Sequence, residues 1–311
     1  MKRFNNILFV ADDSREQTAA LKKTIELARD VDASITVIGI VESAEIIPFP
    51  EGEIDIVKLQ EELILAKQNE LEKLTKSAIG RKKITIPVLV NEGRDYIEII
   101  RAVKKNKFDL VVKASGKPHL TGMLFSTLDM NLVKKCPCPV LIMKPRKKIT
   151  HSRILAAVDL RRKDKTQKNM DRTIMELSRD LAALEKGTLH ILHAWHMSFE
   201  SHFRAHPEVE MAYKSVNSMV KEIRTIEKQH LNDLAEEFSL TPSDTHLIKG
   251  NPIQVIPRFV RSQRIDLVVM GTVGRTGISG FFMGNTAEKI LSNINCSVLA
   301  IKPKGWKTPV E

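Results

Sequence analysis

The chain has 311 residues and a formal net charge of +11 at pH 7; 42% of its residues are hydrophobic and 28% are charged. These proportions exclude an intrinsically disordered chain, and the length favours two domains of about 150 residues each. No apolar run approaches the roughly 18 residues that a membrane span needs. Asp12 and Asp13 interrupt the first apolar stretch, so we expect a cytoplasmic protein with no membrane association.

The first half of the chain alternates short β-branched runs with longer amphipathic stretches, which is typical of βαβ units and a parallel sheet. It opens with the strand NILFVA, after which Ser14 and Gln17 form a capping-box pattern that predicts the start of a helix. The other elements predicted for this half are, in order, the strand ASITVIGIV, a helix near 56–79, the strand ITIPVLV, the helix DYIEIIRAVKKNK, and the strands DLVV and PVLIMK.

The second half repeats the first. ILFVAD at 7–12 returns as ILAAVD at 154–159, and FDLVV at 108–112 returns as IDLVV at 265–269. CPVLIMKP at 138–145 returns as CSVLAIKP at 296–303. The chain is therefore predicted to be two copies of one five-stranded α/β unit, with domains at 1–146 and 147–311. Because edge strands need cover, we expect the copies to pair through PVLIMK and SVLAIK. Assembly into a homodimer stays open.

The basic excess favours anionic partners such as nucleotides, nucleic acids or anionic lipid headgroups. The basic residues stand in short scattered runs with few aromatic residues between them to stack bases. This pattern is more typical of a solvated basic surface than of a nucleic-acid groove, so we do not expect a nucleic-acid partner.

Ligands of an open parallel sheet bind beyond the carboxyl ends of its strands. The first strand of each copy ends in an acid, Asp12 or Asp159, and the fourth strand ends at Ala114 or Gly271. A carboxylate there either accepts hydrogen bonds from a ribose or an adenine amino group, or caps the following helix. The spacing alone leaves both readings open.

A glycine-rich segment, GTVGRTGISGFFMGNT at 271–286, follows the fourth strand of the second copy. Gly271, Gly274 and Gly284 have the spacing G-x2-G-x9-G, and NTAEKIL after them predicts a helix start. Such a loop can turn its N–H groups toward a phosphate. It matches neither the P-loop nor the G-x-G-x-x-G of dinucleotide-binding folds, and a plain surface loop is the alternative.

This spacing, between a DLVVMG strand and a SVLAIKP strand, resembles the glycine loop of the universal stress protein family, and the likeness covers both halves of the chain. The resemblance implies two tandem flavodoxin-like or Rossmann-like domains, each a five-stranded parallel sheet with helices on both faces. It also implies a role in resistance to oxidative or DNA-damaging stress. In members that keep the loop it implies binding of an adenine nucleotide, ATP or AMP, with or without Mg²⁺.

Carried over by position, the resemblance assigns Asp159 to the adenosine and Ala194 to the adenine. The residues assigned to the ribose and phosphates are Gly271, Thr272, Gly274, Gly284, Asn285 and Thr286. The chain departs from the family at Asn285, where nucleotide-binding members often have Ser or Thr. Backbone donors survive that change, whereas a hydroxyl contact to phosphate or metal becomes doubtful.

The first copy has a degenerate glycine loop. Ala114 replaces the first glycine, Gly116 is out of register, and Ser126 stands where Gly284 stands. Asp129 near the helix start opposes a phosphate, because negative charge there competes for the positive end of the helix dipole. We therefore expect at most one adenine nucleotide per chain, with the first copy empty or adapted to another ligand, such as an apolar one.

No metal site is expected. A C-x-C at Cys136 and Cys138 without further cysteine partners is a weak metal signal, and with Cys296 these residues are predicted to be reduced thiols. His190 and His193 lie three residues apart on a predicted strand, so their side chains point to opposite faces.

No catalytic residues are expected either, because no Ser-His-Asp, G-x-S-x-G or HExxH pattern is present. We predict a binding protein rather than an enzyme. The alternatives are a slow ATP hydrolase, in which Asp159 or a loop residue orients water, and a stress protein that binds nucleic acid or an apolar ligand.

Overall fold

A computed structural model describes residues 4–12, 14, 16–43, 55–80, 84–116, 125–144, 149–161, 164–197, 200, 210–273 and 284–311, with only the backbone described over 210–215. The strands are β1 (Asn6–Val10), β2 (Ser34–Val41), β3 (Val88–Glu92), β4 (Leu110–Ala114), β5 (Val140–Met143), β6 (Arg153–Val158), β7 (Thr188–Trp195), β8 (Thr245–Lys249), β9 (Leu267–Gly271) and β10 (Ser297–Ile301). The helices are α1 (Gln17–Val31), α2 (Ile56–Ile79), α3 (Asp95–Asn106), α4 (Thr127–Lys135), α5 (Lys165–Leu184), α6 (Glu210–Glu237), α7 (Pro252–Ser262) and α8 (Asn285–Leu291).

The chain packs as two compact units, one formed by residues 1–150 with 272–311 and the other by residues 151–271. This grouping differs from the division into sequence repeats because the end of the second repeat packs with the first. The domain bounds 1–146 and 147–311 therefore stay predictions about the repeats.

In the first unit the strand order is β3-β2-β1-β4-β5-β10. The five strands of the first repeat are parallel, and the order 3-2-1-4-5 is that of a Rossmann-type sheet. Strands β1, β4 and β5 are buried almost throughout, which explains their nearly continuous apolar sequences. Helix α1 packs on α2, and α3 packs on α4.

The second unit contains the order β8-β7-β6-β9, with every pair parallel. This order corresponds to β3-β2-β1-β4 of the first repeat, as the duplication predicts. Helix α5 packs on β6, β7 and β9, and both α6 and α7 contact β7. Asp164 starts α5 by accepting a hydrogen bond from the backbone N–H of Gln167 at 3.0 Å.

The last strands of the two repeats pair with each other inside the first unit. Strand β10 runs antiparallel to β5, with Val298 opposite Ile142, Leu299 opposite Leu141 and Ala300 opposite Val140. Each of these strands covers an edge of the other, which an isolated parallel sheet would leave with unpaired backbone groups.

The capping box expected at Ser14 and Gln17 is wrong. Helix α1 begins at Gln17 with Glu16 as its N-cap residue, and no side chain caps it. The Gln17 side chain instead accepts a hydrogen bond from the backbone N–H of Asp12 at 3.2 Å. Local residue types allowed the box, but the turn between β1 and α1 directs this side chain back to the strand end.

Replacing Leu299 with alanine tests the paired last strands. Leu299 is 1% exposed, so we expect its truncation to lower the free energy of unfolding by about 2–5 kcal/mol. Leu65→Ala is the matched control, because Leu65 is 60% exposed and should change stability by only about 0.5 kcal/mol. Denaturant unfolding of the full chain measures both, and equal effects would contradict the packing.

Candidate functional site

Three of the predicted site residues lie together at one edge of the second unit. Asp159 directly follows β6, Ala194 lies near the end of β7, and Gly271 ends β9. Strand β6 lies between β7 and β9, with Val158 opposite His193 and Ala157 opposite Met270. The carboxyl ends of the three strands therefore meet at this edge, where parallel sheets bind ligands.

Asp159 does not cap the following helix, since Asp164 does so. Its carboxylate accepts hydrogen bonds from Nε of Arg161 at 2.8 Å and from Nη2 of Arg161 at 3.2 Å. Another guanidinium nitrogen of Arg161 lies 3.5 Å from Nδ1 of His196. Asp159 is therefore not the N-cap residue of α5. The guanidinium of Arg161 is a positive charge at this edge that the sequence analysis missed.

Asp171 is a second carboxylate at this edge that sequence reasoning missed. It is buried on α5 and accepts hydrogen bonds from the backbone N–H of Asp159 at 3.2 Å and from Nε2 of Gln167 at 3.0 Å. Burial raises the pKa of Asp171 to about 7, and the negative charge of Asp159 adds to this rise while the two hydrogen bonds oppose it. The site thus contains an acid that titrates near neutrality.

The described residues around Gly271 do not require a glycine there. Its φ lies outside the left-handed region, and a Cβ added there would make ordinary van der Waals contact with Met170 at 3.5 Å.

The ends of the glycine segment are tied together in the first unit. The N–H of Thr272 donates to the carbonyl of Ile301 at 3.1 Å, and the N–H of Gly284 donates to the carbonyl of Thr272 at 3.0 Å. Gly284 is the N-cap residue of α8 and offers no side-chain cap. Asn285 and Thr286 follow it and are exposed, whereas Gly274 lies outside the described residues.

The corresponding edge of the first repeat is filled by its own charged side chains. Lys113, the fourth residue of β4, is fully buried. Its ammonium forms an ion pair with Asp12, lies 2.9 Å from Oδ1 of Asp129, and donates to the carbonyl of Ala114 at 2.9 Å. Burial lowers the pKa of Lys113, but the charges of Asp129 and Asp12 outweigh it, so the net shift is upward and the lysine stays charged.

Asp129 occupies the backbone donors of the degenerate loop. Its Oδ2 accepts hydrogen bonds from the N–H of Ser126 at 2.8 Å and of Gly116 at 3.2 Å. Oγ of Ser126 in turn accepts from the N–H of Asp129 at 3.1 Å, which completes a capping box on α4. Gly116 is required by packing, since a Cβ there would lie 2.9 Å from Cβ of Ser126.

Alignment of the two repeats shows what the second lacks. When FDLVV of the first repeat is aligned with IDLVV of the second, Met270 takes the position of Lys113. When the starts of α4 and α8 are aligned, Gly284 takes the position of Ser126 and Ala287 that of Asp129. The second repeat therefore lacks the counterparts of Lys113, Ser126 and Asp129, whereas Asp159 keeps the position of Asp12. A lysine in an otherwise apolar parallel strand, LVVK against LVVM, was the available sequence signal for this difference.

The histidines take up structural roles in the part of the second unit that is described. Nε2 of His193 lies 3.0 Å from the Glu227 carboxylate and Nδ1 lies 3.3 Å from the carbonyl of Val158. His190 lies 3.3 Å from His246 instead. Among the described residues, no group of three or more His, Cys, Asp or Glu side chains is arranged to hold a metal ion.

The sequence model of the universal stress protein family matches residues 3–144 and again residues 150–302. The chain belongs to the universal stress protein family. It is 27% identical to the universal stress protein E homolog of Haemophilus influenzae, over 97% of this chain and 98% of that protein. It is also 27% identical to universal stress protein E of Escherichia coli K12, over 100% of this chain and 98% of the relative. The predicted resemblance is confirmed.

Solved structures support the fold. A Pseudomonas aeruginosa PAO1 protein of unknown function superposes with a TM-score of 0.69 at 23% identity, over 97% of this chain and 94% of its own. A universal stress protein from Archaeoglobus fulgidus superposes with a TM-score of 0.63 at 15% identity, over 96% and 99% of the two chains. The predicted α/β class is thereby confirmed. Over the ranges that the structure covers, no helix has the length and apolarity to cross a membrane.

Replacing Asp171 with asparagine should change how stability depends on pH. The pKa of Asp171 is about 7 in the folded state, against an ordinary value of 3.8. Between these two pH values the native state therefore holds a proton that the unfolded state has released. Wild-type stability should therefore fall as pH rises from about 4 to about 7, by up to about 4 kcal/mol from this group. Asp171→Asn should remove this pH dependence of stability. At pH 8 the variant should unfold at a higher denaturant concentration than the wild type.

Denaturant unfolding at pH 5 and at pH 8 measures this difference. Asp180→Asn is the control, because Asp180 lies on the same helix, is only partly buried, and has its carboxylate 3.6 Å from Arg179. Parallel pH profiles for wild type and Asp171→Asn would contradict the assignment.

The buried cluster of the first repeat predicts non-additive mutations. Lys113→Met, which copies the second repeat, leaves Asp12 and Asp129 without their cation and should destabilise the chain by about 3–5 kcal/mol. Lys113→Met combined with Asp129→Ala should recover much of that loss, because only the partly exposed Asp12 is then left unpaired. Denaturant unfolding of the two single variants and the double variant gives the coupling energy, and simple additivity would count against the cluster.

Proposed function

We propose that the protein binds one adenine nucleotide per chain, ATP or AMP, through its second repeat and serves as a nucleotide-dependent binding protein in the stress response. The observation that carries the proposal is the difference between the repeats. In the first, the carboxylate of Asp129 accepts the N–H groups of Gly116 and Ser126 and is neutralised by Lys113. The second repeat contains none of the corresponding side chains.

The first repeat shows what kind of group these loop donors hold, namely an anion. Since Ala287 replaces Asp129 in the second repeat, an anion at this place has to come from a ligand. The N–H of Gly284, the counterpart of the Ser126 N–H, donates to the carbonyl of Thr272 and is not among the donors for that anion. A phosphate fits this requirement, because backbone N–H groups bind it without a positively charged side chain. The ten residues between 273 and 284 lie outside the described residues.

The choice of adenine follows from the family resemblance, which assigns Asp159 to the adenosine and Ala194 to the adenine. Both lie at the shared edge of β6 and β7, as such a role requires. Arg161 neutralises Asp159 and so reduces its repulsion of a nearby phosphate. The role in oxidative or DNA-damaging stress is likewise carried by the resemblance, and cytoplasmic localisation stays an expectation from the sequence.

We favour binding of the nucleotide without its hydrolysis. A hydrolase would need a base or a metal ion to position the attacking water. The carboxylate best placed at the strand ends, Asp159, is already paired in a bidentate manner with Arg161. We therefore assign Asp159 to ligand recognition rather than to catalysis, and slow ATP hydrolysis becomes an outcome that the binding experiment distinguishes.

Calorimetric titration of the full chain with ATP and with AMP, each with Mg²⁺, should give a stoichiometry near one. Gly284→Val should weaken binding more than tenfold, which corresponds to about 1.4 kcal/mol or more, because the side chain blocks approach to the loop. Ser126→Val is the matched control at the equivalent position of the first repeat. It should leave affinity unchanged while removing a helix cap worth about 1 kcal/mol of stability.

Two equivalent sites, or equal losses of affinity in the two valine variants, would contradict the assignment. Phosphate release from ATP by the wild type should not exceed that of Gly284→Val. A clear excess would identify the protein as a slow hydrolase that uses the same site.

A further inference from the structure

A pair of cysteine thiols lies where helix α4 meets strand β5. Cys136 is the C-cap residue of α4 and is fully buried, whereas Cys138 is half-buried two residues later. Their sulfur atoms lie 3.6 Å apart and share a hydrogen bond. Pro137 and Pro139 restrict the backbone of this CPCP turn, so the two sulfurs are held near each other at little further entropic cost.

The pairing of the two repeats brings a lysine to these sulfurs. In the antiparallel register of β5 and β10, Ala300 lies opposite Val140, and the same register continued by two residues sets Lys302 opposite Cys138. The Lys302 ammonium donates to the carbonyl of Val133 at 2.6 Å, at the end of α4 that Cys136 caps. A cation from the second repeat therefore stands beside a dithiol of the first.

The two thiols differ in acidity. Burial raises the pKa of Cys136, but hydrogen bonds from Cys138 and the charge of Lys302 outweigh it, so the net shift is downward. The hydrogen bond to Cys136, together with burial, raises the pKa of Cys138. Burial lowers the pKa of Lys302 to about 8, against the attraction of the two thiols. Cys136 is therefore the more acidic thiol of the pair.

We propose that Cys136 and Cys138 are a redox modification site that a hydroperoxide converts reversibly into an intramolecular disulfide. Cys138 is the more accessible sulfur, and it carries the negative charge in the fraction of molecules in which its proton has moved across the S···S hydrogen bond to the more acidic Cys136. The Cys138 thiolate attacks the peroxide, the O–O bond breaks, and the alkoxide or hydroxide leaves to yield Cys138 sulfenic acid. The Cys136 sulfur then loses its proton and attacks Cys138, the S–O bond breaks, and water is released. Two thiols and one hydroperoxide thus give one disulfide, one alcohol or water, and one further water.

The second repeat supplies an internal comparison. Cys296 aligns with Cys138, and the register sets it opposite Lys144, as Cys138 is opposite Lys302. Ile294 stands where Cys136 stands, so the second sulfur is missing from that position. Cys296 is 3% exposed and has Ile294 two residues before it in place of a cysteine, so it should not form the disulfide.

The test uses the reduced full chain and hydrogen peroxide, with alkylation of the remaining thiols and peptide mass mapping. We expect Cys136 and Cys138 to lose reactivity together, the peptide that contains both to lose two hydrogen atoms, and dithiothreitol to reverse the change. Cys296 should stay alkylatable. Retention of both thiols, oxidation of Cys296 at the same rate, or disulfides only between chains would overturn the proposal.

Single variants assign the order of steps and the role of the lysine. Cys136→Ser should accumulate a sulfenic acid at Cys138 that dimedone traps, while Cys296→Ser should behave like the wild type. Lys302→Met should slow disulfide formation severalfold at pH 7 and shift its pH profile upward, whereas Lys302→Arg should restore the wild-type profile. An unchanged profile in Lys302→Met would remove the lysine from the proposal. The wild-type mass measurement needs no variant and stands even where a variant folds poorly.

Discussion

The antiparallel pairing of β5 with β10 is the contact on which much of this structure depends. A parallel sheet of five strands ends in an edge whose backbone groups need partners, and each repeat supplies its last strand to the other. The consequence is that the last forty residues of the chain pack with the first repeat, although they belong to the second by sequence. Continued by two residues in each direction, the same register would set Lys302 opposite Cys138 and Lys144 opposite Cys296.

Within that shared scaffold the two repeats have diverged at the end of the fourth strand and the start of the next helix. In the first repeat a lysine and two carboxylates satisfy one another and the loop N–H groups in the interior. In the second, methionine, glycine and alanine stand at the positions of Lys113, Ser126 and Asp129, while Asp159 keeps the position of Asp12. The two copies therefore share a strand order while only the first contains the buried lysine and its second carboxylate. The difference lies in charge and hydrogen bonding, since the backbone elements are the same.

Much of this could be read from the sequence because it depends on repetition and periodicity. The ten strands and the duplicated order follow from apolar runs, and the edge formed by Asp159, Ala194 and Gly271 follows from parallel strand ends. Ser126 and Asp129 stood out because they break a glycine pattern.

What the sequence did not reveal depends on contacts between residues far apart in the chain. The ion pairs of Lys113 join it to Asp12, 101 positions earlier, and to Asp129, 16 positions later. The LVVK sequence does not indicate which carboxylates will pair with the lysine. The burial of Asp171, which raises its pKa, is a property of how α5 lies on the sheet. The Ser14–Gln17 pattern failed for the opposite reason. The residue types permitted a capping box, but the Gln17 side chain accepts a hydrogen bond from the backbone of Asp12, five residues earlier, instead.

The buried cluster in the first repeat also limits the order in which it can have arisen by mutation. A lysine introduced at position 113 before a carboxylate stood at 129 would have been buried with only the partly exposed Asp12 for a partner. A carboxylate at 129 could have come first, because the N–H groups of Gly116 and Ser126 already stabilise it. The physically accessible path therefore runs through the aspartate. The reverse path, by which this repeat would regain an open loop, must begin with loss of the lysine and pass through an intermediate that carries two unneutralised carboxylates.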